Sequence, residues 1–346
     1  MSDVDFSLLN RELLTELSHV VLDDYIIDLA WSPDTTRLAA ITVEGEVFLI
    51  ATPTTSAQSR LMGQHAGGGN SLSWRCDGAE FATAGHDGLV KIWDGNSGQE
   101  LDSLEAGSSW VSKVSYNPNS NVLASAAGKH LKVWNEKREV FYESSRHSST
   151  IADLAWNSEG SKLAAAAYHG VTLHEPGIKQ YPRKYYWNGS SLALAWSPDS
   201  KFIATGEQDA SVHFWYVESG DDSQMEGFPS KVQELSWDPS GQWLATSGGG
   251  TICLWDCSGD GPEGRQPKLY EAHPNKLTQI AFQSDGELLV STDVDSLVFV
   301  WEPMQHNKVI GASVLTSAAS CLRWCKGNRF AVGQEDGKVV IFEVRL

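Results

Sequence analysis

An aromatic residue recurs eight times along this chain of 346 residues, at intervals of 40 to 45 residues, and this periodicity constrains the fold more than any other feature. Two residues before each aromatic lies an aliphatic residue, and this period of two is typical of a buried strand face. A repeat of this length predicts small sheets that stack or surround an axis. The eight aromatics, which define copies one to eight, are Trp31, Trp74, Tyr116, Trp156, Trp196, Trp237, Phe282 and Trp324.

Each copy continues with residues typical of hairpins. A turn such as Ser32-Pro33-Asp34 follows the aromatic, because proline fixes φ there and a small polar side chain closes the turn. A strand of small residues comes next, such as Phe81-Ala82-Thr83, and a third strand alternates aliphatic residues, such as Val90 and Ile92. We expect three strands from each copy and a fourth from the segment that joins it to the next.

The stretch from Ser71 to Asp94 carries the clearest family signature. Its sequence, SLSWRCDGAEFATAGHDGLVKIWD, resembles the consensus of the WD40 repeat family, and the resemblance extends over residues 25 to 343. It implies an all-β propeller whose blades surround a central channel. It also implies a buried hydrogen-bonded set of His, Ser or Thr, Asp and Trp in two copies: His65, Thr83, Asp87 and Trp93, and His273, Ser291, Asp295 and Trp301.

The number of copies predicts an eight-bladed propeller in a single domain over residues 1–346. The eighth copy has only four residues after Phe342, too few for an outer strand of its own. We expect the apolar segment at about residues 13–21 to complete that blade and close the ring, which removes exposed sheet edges. The alternative is a seven-bladed ring with one detached copy, which is disfavoured because an isolated three-stranded sheet is marginally stable.

Charge and composition narrow the classes of partner. A formal net charge of −18 argues against nucleic acid and anionic membranes, because binding to phosphate needs clustered Lys and Arg. The first residues show no secretory signal, and no segment reaches 18 consecutive apolar residues. The five cysteines fit a reducing compartment better than a disulfide framework. We therefore expect a cytoplasmic protein.

The candidate binding residues lie six positions before each register aromatic, where the chain enters the innermost strand. The WD40 resemblance places them at the channel mouth, and we call this surface the channel face. Exposed aromatics beside cations are typical interface anchors. The alternative is that the aromatics pack on neighbouring loops. The eight residues are Tyr25, Gly68, Trp110, Thr150, Ser190, Lys231, Lys276 and Ala318, and Trp187 and Phe228, three residues before Ser190 and Lys231, extend the set.

Patterns for catalysis, metals or cofactors are not found in the sequence. The histidines lack the spacing of a zinc site, and Cys253 and Cys257 are four residues apart, which suits buried apolar positions. Acids such as Asp293 and Asp295 fall in turns, where Asp side chains bond backbone amides. Phosphate-binding loops and nucleophile elbows do not occur. We predict no catalytic residue, no metal and no cofactor.

These observations favour a non-catalytic scaffold that binds a protein or peptide on the channel face. One alternative is an enzyme or ligand sensor that uses the axial channel, as in the cofactor-dependent eight-bladed propellers of other families. Another is a structural protein that self-assembles through its outer strands. The identity of the partner and the oligomeric state stay open at this stage.

Overall fold

The computed structural model describes residues 13–52, 57–108, 110–144 and 147–345, and every regular element in these ranges is a β-strand. None of them contains a helix that is long and apolar enough to cross a membrane. The first strand, β1 (Leu14–Val21), belongs to the last sheet. Buried and half-buried residues alternate in the third strand of several copies, as the period of two in the sequence predicts, whereas the strand of small residues before it is buried on both faces.

The first three copies form one four-stranded antiparallel sheet each. In each sheet the strand nearest the axis is the one that ends on the register aromatic. Their strands are β2 (Ile26–Trp31), β3 (Arg37–Thr42), β4 (Glu46–Ala51) and β5 (Gln58–Gln64); β6 (Gly69–Trp74), β7 (Glu80–Gly85), β8 (Leu89–Asp94) and β9 (Glu100–Glu105); and β10 (Val111–Tyr116), β11 (Leu123–Ala127), β12 (His130–Trp134) and β13 (Val140–Ser144).

Copies four and five share a single six-stranded sheet. Their strands, in order across the sheet, are β14 (Asp153–Trp156), β15 (Leu163–His174), β16 (Arg183–Trp196), β17 (Phe202–Glu207), β18 (Val212–Tyr216) and β19 (Asp222–Met225). The described residues therefore form seven sheets, and the prediction of eight blades is wrong: the structure is a seven-bladed propeller in which one blade carries two copies. The alternative, a seven-bladed ring with one detached copy, also differs from the structure, because all eight copies belong to the sheets of the propeller.

The two copies merge because strand β16 runs without a break from the outer part of copy four into the inner part of copy five. Tyr186 pairs with Gly170 and Ser190 with Tyr168, so the crossing segment stays within the ladder. Gly170 permits this approach, since its φ is +91° and a Cβ atom there would collide with the carbonyl oxygen of Tyr185. The repeat spacing alone does not reveal such a continuous strand.

The last three copies again form four-stranded sheets. Strand β1 pairs antiparallel with β30 from Leu14 opposite Val344 to Val21 opposite Lys338, so both ends of the described chain lie in one sheet. The strands are β20 (Glu234–Trp237), β21 (Trp243–Ser247), β22 (Thr251–Asp256) and β23 (Lys268–Glu271); β24 (Leu277–Phe282), β25 (Leu289–Asp293), β26 (Leu297–Trp301) and β27 (Val309–Val314); and β28 (Ala319–Trp324), β29 (Arg329–Gln334) and β30 (Lys338–Val344).

Tryptophans of the inner strands connect neighbouring copies around the ring. In each of six copies the register indole donates a hydrogen bond to a backbone carbonyl of the preceding inner strand, as from Trp74 to Ala30 at 2.9 Å. Trp31 donates to Arg323 at 2.9 Å and so joins copy one to copy eight. In the two copies whose register aromatic is Tyr116 or Phe282, there is no indole to donate. The backbone N–H of that aromatic residue instead donates a hydrogen bond to a serine hydroxyl of a neighbouring inner strand. The inner strands thus form a closed cycle.

The buried network of copy two matches the one implied by the resemblance. Both His65 and Trp93 bond to the hydroxyl of Thr83 at 2.8 Å, and the other ring nitrogen of His65 lies 3.0 Å from Asp87. The imidazole and the indole are fully buried. Such a network is stabilising because every buried polar atom in it has a partner.

Copy seven uses a different aspartate from the predicted one. His273 and Trp301 bond to the hydroxyl of Ser291 at 2.6 and 2.8 Å, but the carboxylate 2.7 Å from His273 belongs to Asp293. The assignment of Asp295 is therefore wrong; it accepts a hydrogen bond from Asn275 in the turn. The equivalent of Asp293 in copy two is a glycine, Gly85, where a Cβ would collide with the His65 ring, so that copy needs a carboxylate from the turn.

Candidate functional site

The channel face has two rows of side chains. The first row consists of the residues that enter the inner strands, which the sequence register identified, and the second row consists of the turn residues that bond to them. In five copies the carbonyl oxygen of the residue that enters the inner strand accepts a hydrogen bond from the backbone N–H of a turn residue in the same copy. The bonds, between 2.9 and 3.1 Å long, join Tyr25 to Val43, Gly68 to His86, Ser190 to Gln208, Lys276 to Val294, and Ala318 to Glu335. Each turn residue stands directly before an acid, and this signal was available in the sequence.

Trp110 is the most prominent side chain of the channel face. Its side chain is 63% exposed, and its ring stacks on His86 with the centroids 3.9 Å apart and the planes 10° apart. The imidazole is itself held by a hydrogen bond, because its nitrogens lie 2.6 Å from the carbonyl oxygen of Gly67 and 3.1 Å from the side-chain oxygen of Asn70, and the single N–H of a neutral ring donates to one of them. The Asn70 amide in turn donates to the carbonyl of Val111 at 2.9 Å. An exposed indole is therefore fixed in one orientation.

Tyr25 and Lys276 line a common cavity of about 660 Å³ along the axis, together with Val294 and Glu335 of the second row. Burial, followed by the nearby charge of Glu335, raises the pKa of Tyr25, so its hydroxyl stays protonated at neutral pH. The cavity brings together side chains from copies one, seven and eight at the channel mouth.

The remaining predicted residues occupy two kinds of environment. Thr150 and Lys231 are exposed and Ser190 is half-buried at the channel face. Trp187 and Phe228 are half-buried among apolar side chains of the blades. Trp187 contacts His213 with the ring centroids 3.9 Å apart and the ring planes tilted by 41°. It stands nine residues before its register aromatic, at the position that His65 has in copy two.

Ion pairs line the deeper part of the channel. Asp28, Lys113 and Asp153 stand three residues before a register aromatic, and Arg323 stands one residue before Trp324. Arg323 lies 2.6 Å from Asp28, and Lys113 lies 3.3 Å from Asp153. These contacts raise the pKa of both cations. Each aspartate also accepts from an inner-strand N–H of the following copy, at 3.2 Å for Asp28 and 2.9 Å for Asp153. The pairs therefore hold neighbouring copies together around the axis.

Copies four and five contain most of the buried polar atoms that lack a partner. The described residues include nine such side-chain atoms, and seven of them belong to these two copies. In copy four, Ala165 replaces the hydroxyl residue of the network, and a buried imidazole replaces the indole. The seven atoms are both ring nitrogens of His147, Nδ1 of His169, Nε2 of His174, Nε1 of Trp187, Oε2 of Glu207 and Nε2 of His213.

His147 and His174 face each other in the interior of copy four, with ring centroids 5.1 Å apart. Tyr142 bonds Nδ1 of His174 at 2.8 Å. Burial lowers the pKa of His147 to about 4 and that of His174 to about 3, so both rings are neutral near pH 7. The described residues contain no group of three or more His, Cys, Asp or Glu side chains arranged to hold a metal ion.

A closed ring of antiparallel sheets with buried His–hydroxyl–Trp networks defines a WD-repeat β-propeller. The family model for the WD domain, G-beta repeat, matches residues 61–94, 98–135, 185–216, 223–256 and 264–302, which together cover half of the chain. The chain therefore belongs to the WD40 repeat family. A computationally designed protein, Ika8, has a similar crystal structure, with a TM-score of 0.81 and 21% identity over 95% of this chain and 99% of that one; this likeness shows the fold alone.

Several proteins of known name are related in sequence. WD repeat-containing protein slp1 of Schizosaccharomyces pombe is 25% identical over 81% of this chain, and APC/C activator protein CDH1 of Saccharomyces cerevisiae is 25% identical over 67%. The human serine-threonine kinase receptor-associated protein is 26% identical over 65%. The chain spans less than two thirds of these relatives' own length, 59%, 42% and 64% respectively.

Proposed function

We propose that this WD40 propeller is a non-catalytic scaffold that binds a protein or peptide partner on its channel face. The observation that carries the proposal is the fixed and exposed indole of Trp110. An aromatic side chain that is already ordered loses little conformational entropy when a partner covers it, and aromatic residues of this kind dominate binding energy at interfaces. Lys231, Lys276 and Tyr25 add charge and hydrogen-bonding groups around the same mouth.

The relatives support a role in protein interaction. Their printed names describe an activator of APC/C and a protein associated with a kinase receptor. Because the chain spans only part of these relatives, their partners are not transferred to it. WD40 propellers generally serve as scaffolds rather than enzymes, and we extend this to the present chain. Neither the enzyme nor the self-assembly alternative has a specific observation in its favour.

We also infer a cytoplasmic location for the protein. All five cysteines are free thiols, and burial raises the pKa of Cys253 to about 11 and that of Cys257 to about 12, so these thiols stay protonated and unreactive at neutral pH. Fractionation of native cells, with the protein in the soluble cytoplasmic fraction, is the expected result. Recovery in a secreted or membrane fraction would contradict this inference.

Affinity purification from native cells with quantitative mass spectrometry tests the binding surface. The test variant combines Trp110→Ala with Lys231→Glu, which removes the indole and reverses one charge of the channel face. The control variant combines Phe141→Ala on the outer strand β13 with Lys326→Glu in the turn at the opposite end of an inner strand. We expect the test variant to lose a partner that wild type and control retain. Identical partner sets for all three proteins would place the binding surface elsewhere.

A further inference from the structure

Three carboxylates of the inner strands face the axial channel. Two of them are neutralised by ion pairs within the described part of the protein, and the third is not. Asp28, Asp153 and Glu234 stand in the same register, three residues before Trp31, Trp156 and Trp237. Asp28 and Asp153 each have a cation and a backbone N–H as partners, as described above. The charges of these two aspartates are therefore neutralised by groups of the propeller itself.

Glu234 makes neither of these contacts. Among the described residues it has no ion pair within 4.0 Å and no bond to an N–H of the following copy, and its side chain lines the cavity beside Gln233 and Gln279. Burial raises its pKa to about 7, which is typical of a carboxylate that lacks a compensating cation. A buried charge of this kind costs stability unless a partner offsets it.

Two lysines stand above this carboxylate at the channel mouth. Lys231 precedes Glu234 by three residues on the way into the inner strand, and its side chain is exposed. Lys276 is at the equivalent position of the next copy and lines the same cavity. Both cations lower the pKa of Glu234, but neither forms an ion pair with it. The charges are thus separated along the axis, with cations at the mouth and the carboxylate below.

We propose that this part of the channel takes a guanidinium or ammonium side chain of the partner, while a neighbouring carboxylate of the same partner meets Lys231 and Lys276. The proposal rests on the proposed function and specifies its ligand as a segment with adjacent basic and acidic residues. The cavity of about 660 Å³ lies within the range of about 300–1,000 Å³ that is usual for small-ligand pockets. The other titratable and charged groups around Glu234 in the channel are Tyr25, Asp28, Lys113, Asp153, Arg323 and Glu335.

Calorimetric titration with two capped peptides tests the proposal on the full chain. One is acetyl-Gly-Arg-Asp-Gly-amide, and the other has citrulline, a neutral isostere, in place of arginine. We expect the arginine peptide to bind wild type at least about tenfold more tightly than the citrulline peptide. We expect Glu234→Gln to remove that preference, whereas Glu271→Gln, on the exposed outer strand β23, leaves it unchanged.

The affinity of the arginine peptide is also expected to fall when the pH drops from 8 to 6, because Glu234 becomes protonated. No binding of the arginine peptide, equal binding of both peptides, or an unchanged preference in Glu234→Gln would each overturn the proposal. The peptide comparison uses only wild-type protein, so it remains decisive if a variant folds poorly. If the Trp110 and Lys231 variant loses its partner while Glu234→Gln retains it, the proposed function stands and this inference fails.

Discussion

Copies two and seven differ from copies four and five in how they treat buried polar groups. In copies two and seven a hydroxyl of Thr83 or Ser291 joins a histidine to a tryptophan, and a carboxylate holds the histidine from the other side. In copy four Ala165 stands in place of the hydroxyl, and in copy five Trp187 stands in place of the histidine. The same strands therefore enclose either a satisfied network or isolated polar atoms.

This difference teaches that the WD40 framework does not depend equally on every copy. The complete networks lock the turn to the third strand, whereas copies four and five are held by a continuous strand, β16, that joins them into one sheet. An unpaired buried polar atom costs roughly 1–3 kcal/mol, so we expect copies four and five to be less stable locally than copies two and seven. Four predictions, in order of expected effect, test this contrast.

The largest effect is expected for Thr83→Val in copy two. The substitution keeps the shape of the side chain but removes the hydroxyl, and it leaves His65 and Trp93 each with a buried nitrogen that has no partner. We expect the free energy of unfolding to fall by about 3 kcal/mol. Chemical denaturation measures it, with the exposed Thr150→Val as the control, for which a change within about 0.5 kcal/mol is expected. Equal values for the two variants would contradict a role for the network.

A pair of variants in copy seven separates the two candidate aspartates. Asp293→Asn alters a fully buried carboxylate 2.7 Å from His273, and we expect a loss of about 2 kcal/mol. Asp295→Asn alters an exposed turn residue, and we expect a loss of about 0.5 kcal/mol or less. The melting temperatures of the two proteins give the comparison directly. A larger loss from Asp295→Asn would restore the assignment made from the sequence.

Acid should destabilise copy four through its histidine pair. The ordinary pKa of histidine, 6.5, is lowered in the folded state to about 4 for His147 and about 3 for His174. The unfolded chain therefore takes up protons first, so stability that is present above pH 6.5 is lost as the pH falls toward these values. At pH 5 each site is expected to cost about 2 kcal/mol, so removing one histidine should change the loss by about that amount.

Other groups titrate in the same window, so the histidine contribution is read as a difference between proteins. Burial raises the pKa of Glu207 and Glu234, and their protonation favours the folded state at low pH. The variant His147→Phe, measured from pH 8 to 5, should show a smaller loss of stability than wild type. Profiles that run parallel would show that the pair does not titrate as described.

The smallest effect is expected for Ala165→Ser, which places a hydroxyl in copy four where copy seven has Ser291. It offers a partner to either ring nitrogen of His147 or to Nε2 of His174, which otherwise lack one. We expect a gain of about 1 kcal/mol in the free energy of unfolding at pH 7, the usual net value of one hydrogen bond. A loss of stability would mean that no space remains for the added oxygen atom.

The sequence predicted the parts of the fold that repeat. The register aromatics, the position of the inner strands and the network of copy two follow from spacing, because every copy imposes the same period. The blade count was wrong because the continuity of β16 depends on Gly170 and on the ladder with β15, which are specific to one place. The choice of Asp293 over Asp295 likewise depends on where a side chain points within a turn.

The candidate site was less accessible to prediction. Trp110, Tyr25 and Lys276 could be placed at the channel mouth by their register alone. The second row, with His86 and Glu335, was missed, although the acid that follows each turn residue marks it. The ion pairs of the channel join residues far apart in sequence, such as Asp28 and Arg323, and only the closure of the ring brings them together.

Hydrogen–deuterium exchange at pH 7, read by mass spectrometry on peptides from each copy, tests the contrast between the copies most directly. Complete buried networks should suppress local opening, because opening breaks every bond of the network at once. We predict slower exchange in the strands that carry Thr83 and Ser291, β7 and β25, than in the first half of β15, which carries Ala165. Equal protection of all three strands, or faster exchange in β7 and β25, would contradict the account.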